Sequence, residues 1–273
     1  MSEAEIIKLE RIITKLKSEN EQLKKKVADV EQDREEYLQN VSHQLVAPLN
    51  AMKWHIENLR DARVGVTRAK KVLSSIYAQA TIAVHLAKNF KLMSNLEEDH
   101  ALHKLKEPLQ EVNLRSLLVN LVNDFQPLAW DKNIKIHVDD TCFDKEPSVL
   151  AMKPLISQVF SNIIENAVKY SDSDTHIQFR GQYLQASDSF SVSIINSGID
   201  LAPEHFSSVF DRGFRSAKAK QKYPAGTGFG LYIARRIVEI HEGTINASTD
   251  KENVIFEVIL PVKALEGKAR LRD

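Results

Sequence analysis

The chain of 273 residues has a single cysteine, Cys142, and no excess charge of either sign, with 37 Lys and Arg against 37 Asp and Glu. One thiol excludes a disulfide framework within the chain and fits a reducing compartment, so a cytoplasmic location is expected. Balanced charge leaves no global field to attract nucleic acid or an anionic membrane. No run of about 18 apolar residues occurs, so no membrane segment is expected. The first residues, Met-Ser-Glu-Ala-Glu, lack the pattern of a secretory signal peptide. What remains is 43% hydrophobic and 27% charged, which suits an ordinary globular protein of one to two domains.

Residues 5–42 read as a coiled coil. Ile6, Leu9, Ile13, Leu16, Leu23, Val27, Val30, Tyr37 and Val41 fall at steps of three, four or their sum, seven. With Ile6 at position a, Ile13 and Val27 also occupy a, and Leu9, Leu16 and Leu23 occupy d. Branched residues at a with Leu at d favour a parallel two-stranded coil. Asn20 also falls at a, where an Asn–Asn pair fixes register and dimer state at some loss of stability. The seam then changes step, because Tyr37, Val41, Leu45 and Leu49 are four apart before Met52, Ile56 and Leu59 resume the alternation. Such a stutter unwinds a coiled coil locally, and it surrounds His43.

A second helix is expected over 67–96, with the stripe Leu73, Ile76, Ala80, Ala83, Ala87 and Phe90. The connection near Arg60–Val66 is short, so the two helices should run antiparallel. One hairpin has too small a core to stand alone, whereas two from a homodimer make a four-helix bundle. Polar residues and Pro108 mark 99–112 as a linker. Beyond it, helices at 113–130, 154–170 and 227–242 alternate with strands at 133–138, 175–184, 189–196, 244–249 and 253–260. The fold class is therefore α+β: a parallel coiled coil (1–42) leads into a dimeric four-helix bundle (43–98). An α/β sandwich (113–262) and a charged tail (263–273) follow.

Three motifs carry the chemistry. His43 sits in a helix with Pro48 five residues on, and Pro48 has no N–H to continue the helical ladder, so the helix can bend beside His43. Asn162 and Asn166 share one helix face at i, i+4. Gly226-Thr227-Gly228-Phe229-Gly230-Leu231 opens a helix whose first amides suit phosphate. Together they suggest that ATP phosphorylates a histidine side chain. The other histidines lack such a context and read as incidental.

In this order and spacing, the motifs resemble the dimerisation, phosphotransfer and catalytic ATP-binding core of two-component sensor histidine kinases, over about residues 5 to 262. The resemblance implies that His43 accepts the phosphoryl group and that Asn166 coordinates Mg²⁺. Lys169 and Tyr170 match a Lys-aromatic pair that contacts phosphate and packs near the nucleotide. Asn196 and Gly198 lie where the family has its adenine pocket, with Asp200 following. Phe206, Phe210, Phe214 and Arg215 match the aromatic segment before a lid, for which Lys218, Lys220, Lys222, Tyr223, Pro224 and Ala225 supply a basic, mobile stretch. ATP and Mg²⁺ are the implied cofactors. The implied partners are a second copy of the chain and a response-regulator receiver domain, with a sensor domain expected upstream, outside this chain.

Several positions depart from the family's pattern. Gln44 replaces the usual carboxylate beside the histidine. A neutral acceptor gives up about 1–2 kcal/mol against a charged one, or ~5–30-fold in rate. On the bundle, residue 44 is expected to lie away from the nucleotide. Ala47 lacks the Thr or Asn side chain that orients a hydrolytic water, which counts against phosphatase activity. Asn196 replaces an aspartate but can still pair with adenine through its amide. Asp200 replaces a glycine. These departures keep a second reading open, a degenerate kinase that dimerises and binds nucleotide or a partner without phosphotransfer. A chaperone- or topoisomerase-type ATPase of the same sandwich class is a third, against which the His43–Pro48 hairpin argues.

The coiled-coil register makes one direct prediction. Asn20→Leu should raise the melting temperature while loosening oligomer specificity. Thermal melts with sedimentation test this, and a lower melting temperature would remove Asn20 from the seam.

Overall fold

In a computed structural model of the chain, the described residues are 3–61, 65–96, 108–143, 148–224 and 226–262. Most of the expected linker, the whole charged tail and Ala225 lie outside them. So do the side chains of Ile6, Leu9, Val30 and Tyr37. Two compact units divide at His43 and Gln44.

In the first unit, every described residue is helical and belongs to helix α1, Glu3–Asp61. Among its seam residues, Ile13, Leu16, Leu23 and Val27 are all exposed, at 49–60% of their surface. Asn20 is exposed as well.

The second unit takes in the rest of α1, in which Pro48 is buried. Helix α2, Val66–Leu96, begins one residue after Gly65. Strands β1 (Gln110–Asn113) and β3 (Ser148–Ala151) form a small antiparallel pair. Helix α3, Leu114–Ala129, starts where the Asn113 side chain accepts a 2.8 Å hydrogen bond from the Ser116 amide, which satisfies one of the orphan donors of the first turn. Helix α4 spans Lys153–Tyr170, α5 Ala217–Lys222 and α6 Gly230–Ile240.

The main sheet has the order β2-β4-β5-β7-β6: Lys135–Val138, His176–Leu184, Ser189–Ser197, Asn253–Pro261 and Thr244–Asp250. Only the β2–β4 pair is parallel. The register sets Ile177 opposite Asn196, Phe179 opposite Ile194, and both β5 residues opposite Val254 and Phe256 of β7. Because strand side chains alternate faces, these buried residues line up on one face with Ile136 and Val138 of β2, Val192 of β5 and Val258 of β7. The opposite face pairs Gln178 with Ile195 and Ser193 with Glu257. The apolar face is covered by α3, α4 and α6, whose buried residues include Leu118, Phe125, Ile156, Val159, Phe160, Ile163, Ile233 and Ile237.

Helices α3, α4 and α6 and the five sheet strands lie within a few residues of their expected places. The β1–β3 pair was not expected. Its first strand falls in the stretch read as linker, where Pro108 and polar residues hide a four-residue strand. Within the basic lid stretch, 217–222 forms a short helix that the Ser216 hydroxyl caps by accepting from the Ala219 amide at 3.2 Å. Among the described residues, no helix is long and apolar enough to cross a membrane.

Candidate nucleotide site

Helix α4 carries both the core and the site. Its apolar positions Ile156, Val159, Phe160, Ile163 and Ile164 are fully buried. Asn162, Glu165, Asn166, Lys169 and Tyr170 line a cavity of about 1030 Å³, counting its open mouth. The remaining walls come from Asn196 of β5, Ile199 to Leu201 after it, Val254 and Phe256 of β7, and Phe214 to Ser216 before the lid. Gly226, Thr227, Gly228, Gly230 and Leu231 close the cavity at the start of α6.

The glycine loop is shaped by close contact. Gly228 has φ +74°, and a Cβ there would come within 2.7–2.8 Å of the Gly213 and Phe214 backbone. Only glycine serves such a position without strain. The first amides of α6 thus border the cavity, the usual setting for an anion.

Arg215 acts as a staple for the lid. Its guanidinium donates to the carbonyls of Pro224 at 2.9 Å, Gly226 at 2.8 Å, Ala219 at 3.1 Å and also Tyr223. The lid lysines have partners of their own. Lys222 Nζ reaches Asp172 at 2.7 Å and the Tyr170 carbonyl at 2.9 Å, and Lys218 lies 3.4 Å from Asp200. Lys132 Nζ donates to the carbonyls of Val168 and Lys169 at 2.9 and 2.7 Å. Cations at this end of α4 complement the helix dipole.

Two expected site residues face elsewhere. Gly198 lines a separate recess with Asp172 and Asp200. A Cβ there would collide with the Tyr170 carbonyl, so its close approach is to the end of α4. Phe210 is buried, its ring 6.2 Å from that of Phe256 at 83°, and it backs the cavity through that neighbour. Gln44 corrects the expectation made for it, because it lines the cavity together with Leu86 and Asn89 of α2. His43 falls in the other unit and is exposed.

Beside the cavity lies a buried polar cluster joining α2 to α4. His85 is 4% exposed. Its Nε2 is 2.9 Å from Asn162 Oδ1 and 3.3 Å from Glu165 Oε2, and its Nδ1 is 2.9 Å from Gln158 Nε2. Asn89 donates to Asn162 Oδ1 at 2.7 Å and accepts from Gln158 at 2.8 Å. Lys169 Nζ lies 2.6 Å from Glu165 Oε1. Burial alone would lower the Lys169 pKa, but the Glu165 carboxylate outweighs it and holds the ammonium above its ordinary value. Burial likewise works to raise the Glu165 pKa, and Lys169 and His85 more than reverse this. For His85 burial wins over the Glu165 carboxylate, so its pKa is lowered. Histidines other than His43 were read as incidental, and His85 overturns that. His241 does too, since it donates from Nδ1 to the Ile237 carbonyl at 2.8 Å and accepts from the Met152 amide at Nε2, 3.1 Å away. Two polar residues at i, i+4, His85 and Asn89, on a helix read for its apolar stripe were the available signal.

Residues 152–264 match the family described as histidine kinase-, DNA gyrase B-, and HSP90-like ATPase. Histidine protein kinase SaeS of Staphylococcus epidermidis is 26% identical over 225 residues, covering 82% of this chain and 62% of that protein. Sensor protein kinase WalK of Staphylococcus aureus is 28% identical over 243 residues, covering 87% of this chain and 56% of that protein. The chain spans about three fifths of the length of these curated relatives. The solved structure of Acinetobacter baumannii histidine kinase AdeS aligns with a TM-score of 0.52 at 17% identity, over 81% of this chain and 98% of its own. Full-length ShkA in complex with AMPPNP aligns with a TM-score of 0.56 at 19% identity, over 84% and 46%. At these identities the structural likeness speaks for the fold alone.

The two buried imidazoles predict a pH dependence of stability. Burial is the leading cause of the lowered pKa at both His85 and His241. A group with a lowered folded pKa contributes stability above its ordinary value, and loses it as pH falls toward the folded value. Melting temperature should therefore fall between about pH 7 and about pH 5, where unfolded imidazoles gain protons. His85→Gln should flatten this slope while His241 keeps part of it. An unchanged slope in thermal melts would show that His85 takes no part in the transition.

Proposed function

We propose that the chain is a sensor histidine kinase core that binds ATP with Mg²⁺ in the cavity on α4 and phosphorylates His43. The phosphoryl group then passes to an aspartate of a response-regulator receiver domain. The observation that carries this reading is the convergence of Asn166, Asn196 and the Gly226–Leu231 loop, from three separate stretches, on the cavity that Gln44 also lines. Gln44 is the sequence neighbour of His43.

The roles follow from the chemistry of the groups. The α6 amides and Lys169 suit phosphates, and the Asn196 amide suits the adenine edge. Asn166 offers an amide oxygen, a ligand type that Mg²⁺ accepts. Among the described residues, no cluster of three or more His, Cys, Asp or Glu could hold a metal. An ion bound there would share its coordination with phosphate oxygens and water, and it would neutralise charge at the transferring group. A nitrogen of the neutral His43 ring attacks the γ-phosphorus, the bond to the ADP oxygen breaks, and the other ring nitrogen sheds its proton.

The chain acts as a homodimer in this proposal, through a parallel coiled coil and a four-helix bundle. The exposed seam residues Ile13, Leu16, Leu23 and Val27 support the coil, and Leu49, Ile56, Leu73 and Phe90, all at least 36% exposed, support the bundle. We place the protein in the cytoplasm, where ATP and a receiver domain are available.

Incubation with labelled ATP and an acid-lability test of the product check the reading. His43→Gln should abolish the acid-labile label while preserving dimerisation and ATP binding. Label persisting on another residue would overturn the assignment, and no label on the unchanged chain would favour the degenerate kinase.

Gln44→Glu tests the chemistry of the adjacent position. A carboxylate there should raise the single-turnover rate at saturating ATP by roughly 5–30-fold. Because Gln44 lines the cavity, the added charge should also weaken ATP binding by repelling phosphate. An unchanged rate together with unchanged affinity would remove residue 44 from the reacting centre.

A further inference from the structure

Asn162 is 1% exposed and lines the cavity, yet its side-chain Nδ2 has no partner among the described residues. A buried amide donor left unpaired costs free energy, and such an atom invites the question of what satisfies it. The hydrogen bonds around it explain why that nitrogen is left over. Glu165 is an acceptor with Oε2 3.3 Å from His85 Nε2, which places the ring proton on Nε2. Gln158 Nε2 donates to Nδ1 on the other side of the ring, at 2.9 Å. The single Nε2–H of His85 therefore faces two acceptors, Asn162 Oδ1 at 2.9 Å and the more distant Glu165 Oε2 at 3.3 Å. Asn89 adds a second donor to Asn162 Oδ1 at 2.7 Å, because its own oxygen is taken by Gln158 at 2.8 Å. Two donors converge on one oxygen, so the amide cannot turn over without setting its NH₂ against both.

The neighbourhood of this amide suits an anion. A Cβ at Gly230, the first residue of α6, would lie 3.6 Å from Asn162 Oδ1. The amide thus stands beside the helix start, where free backbone N–H groups favour phosphate. We propose that His85, a residue of the helical hairpin that does not itself line the cavity, is a positioning residue for phosphate binding. It locks the Asn162 amide so that Nδ2 donates to a nucleotide phosphate. The grip on phosphate then depends on the docking of α2 against α4, and a displacement of α2 loosens it. The inference rests on the reading of the cavity as an ATP site and adds a residue that the motifs did not contain.

The test uses the full chain and three substitutions, with ATP, ADP and adenosine as probes. His85→Phe fills the space without hydrogen bonds. His85→Asn reaches the position of Nδ1 only, whereas His85→Gln carries an N–H to the position of Nε2. His85→Phe and His85→Asn should weaken ATP and ADP binding roughly ten-fold, the size of one charge-assisted hydrogen bond, and leave adenosine affinity unchanged. His85→Gln should bind all three like the unchanged chain. If His85→Phe fails to fold, the comparison of Asn with Gln decides. Equal losses for adenosine and ATP would reduce His85 to a packing role and overturn the proposal, as would undiminished ATP binding in His85→Asn. Weak binding by His85→Gln equal to that of His85→Asn would overturn it too. Failure of the unchanged chain to bind ATP would sink the nucleotide reading itself, and this inference with it.

Discussion

The site depends on helix α4 serving two environments at once. One side supplies Ile156, Val159, Phe160, Ile163 and Ile164 to the core between helices and sheet. The other places Asn162, Glu165, Asn166 and Lys169 at the cavity. Both sets follow from the 3.6-residue period, and burial of the first fixes the orientation of the second. A helix packed this firmly cannot rotate to relieve strain in its polar residues. The polar face must then be satisfied where it stands. The Glu165–Lys169 pair, His85, Asn89 and Gln158 partner much of this face, and the Asn162 nitrogen is left over.

The same logic extends outward from α4. Its C-terminal carbonyls receive Lys132 from the turn after α3 and Lys222 from the lid. Both cations sit at the negative end of the helix dipole, so the lid is tied to the helix that lines the cavity. Arg215 gathers lid carbonyls from Ala219 to Gly226 in the same region. Buried charge is tolerable only when paired, and the Glu165–Lys169 pair meets that condition at the wall of the cavity.

Much of this was legible in the amino-acid order, for local reasons. The i, i+4 spacing of Asn162 and Asn166 sets both on one face of any helix. The alternation in Phe190-Ser-Val-Ser-Ile-Ile specifies a half-buried strand, and the glycines of 226–230 mark a loop that approaches backbone closely. What stayed hidden depends on contacts distant in sequence. His85 and Gln158 are 73 residues apart, and nothing on α2 alone announces a hydrogen-bond cluster. Gln44 was expected away from the nucleotide because the hairpin was read apart from the sandwich. Gly198 was read as an adenine contact, whereas its missing Cβ accommodates the end of α4. The strand Gln110–Asn113 escaped notice because four residues carry too little pattern.

The central claim is that α4, the glycine loop and the start of α6 form one phosphate-binding surface. Backbone hydrogen exchange, with and without a non-hydrolysable ATP analogue and Mg²⁺, measures this directly. The account predicts slowed exchange together in 162–170 and 226–234 when nucleotide is added, with the outer strand Thr244–Asp250 unchanged. Nucleotide bound with no protection in either segment would contradict it.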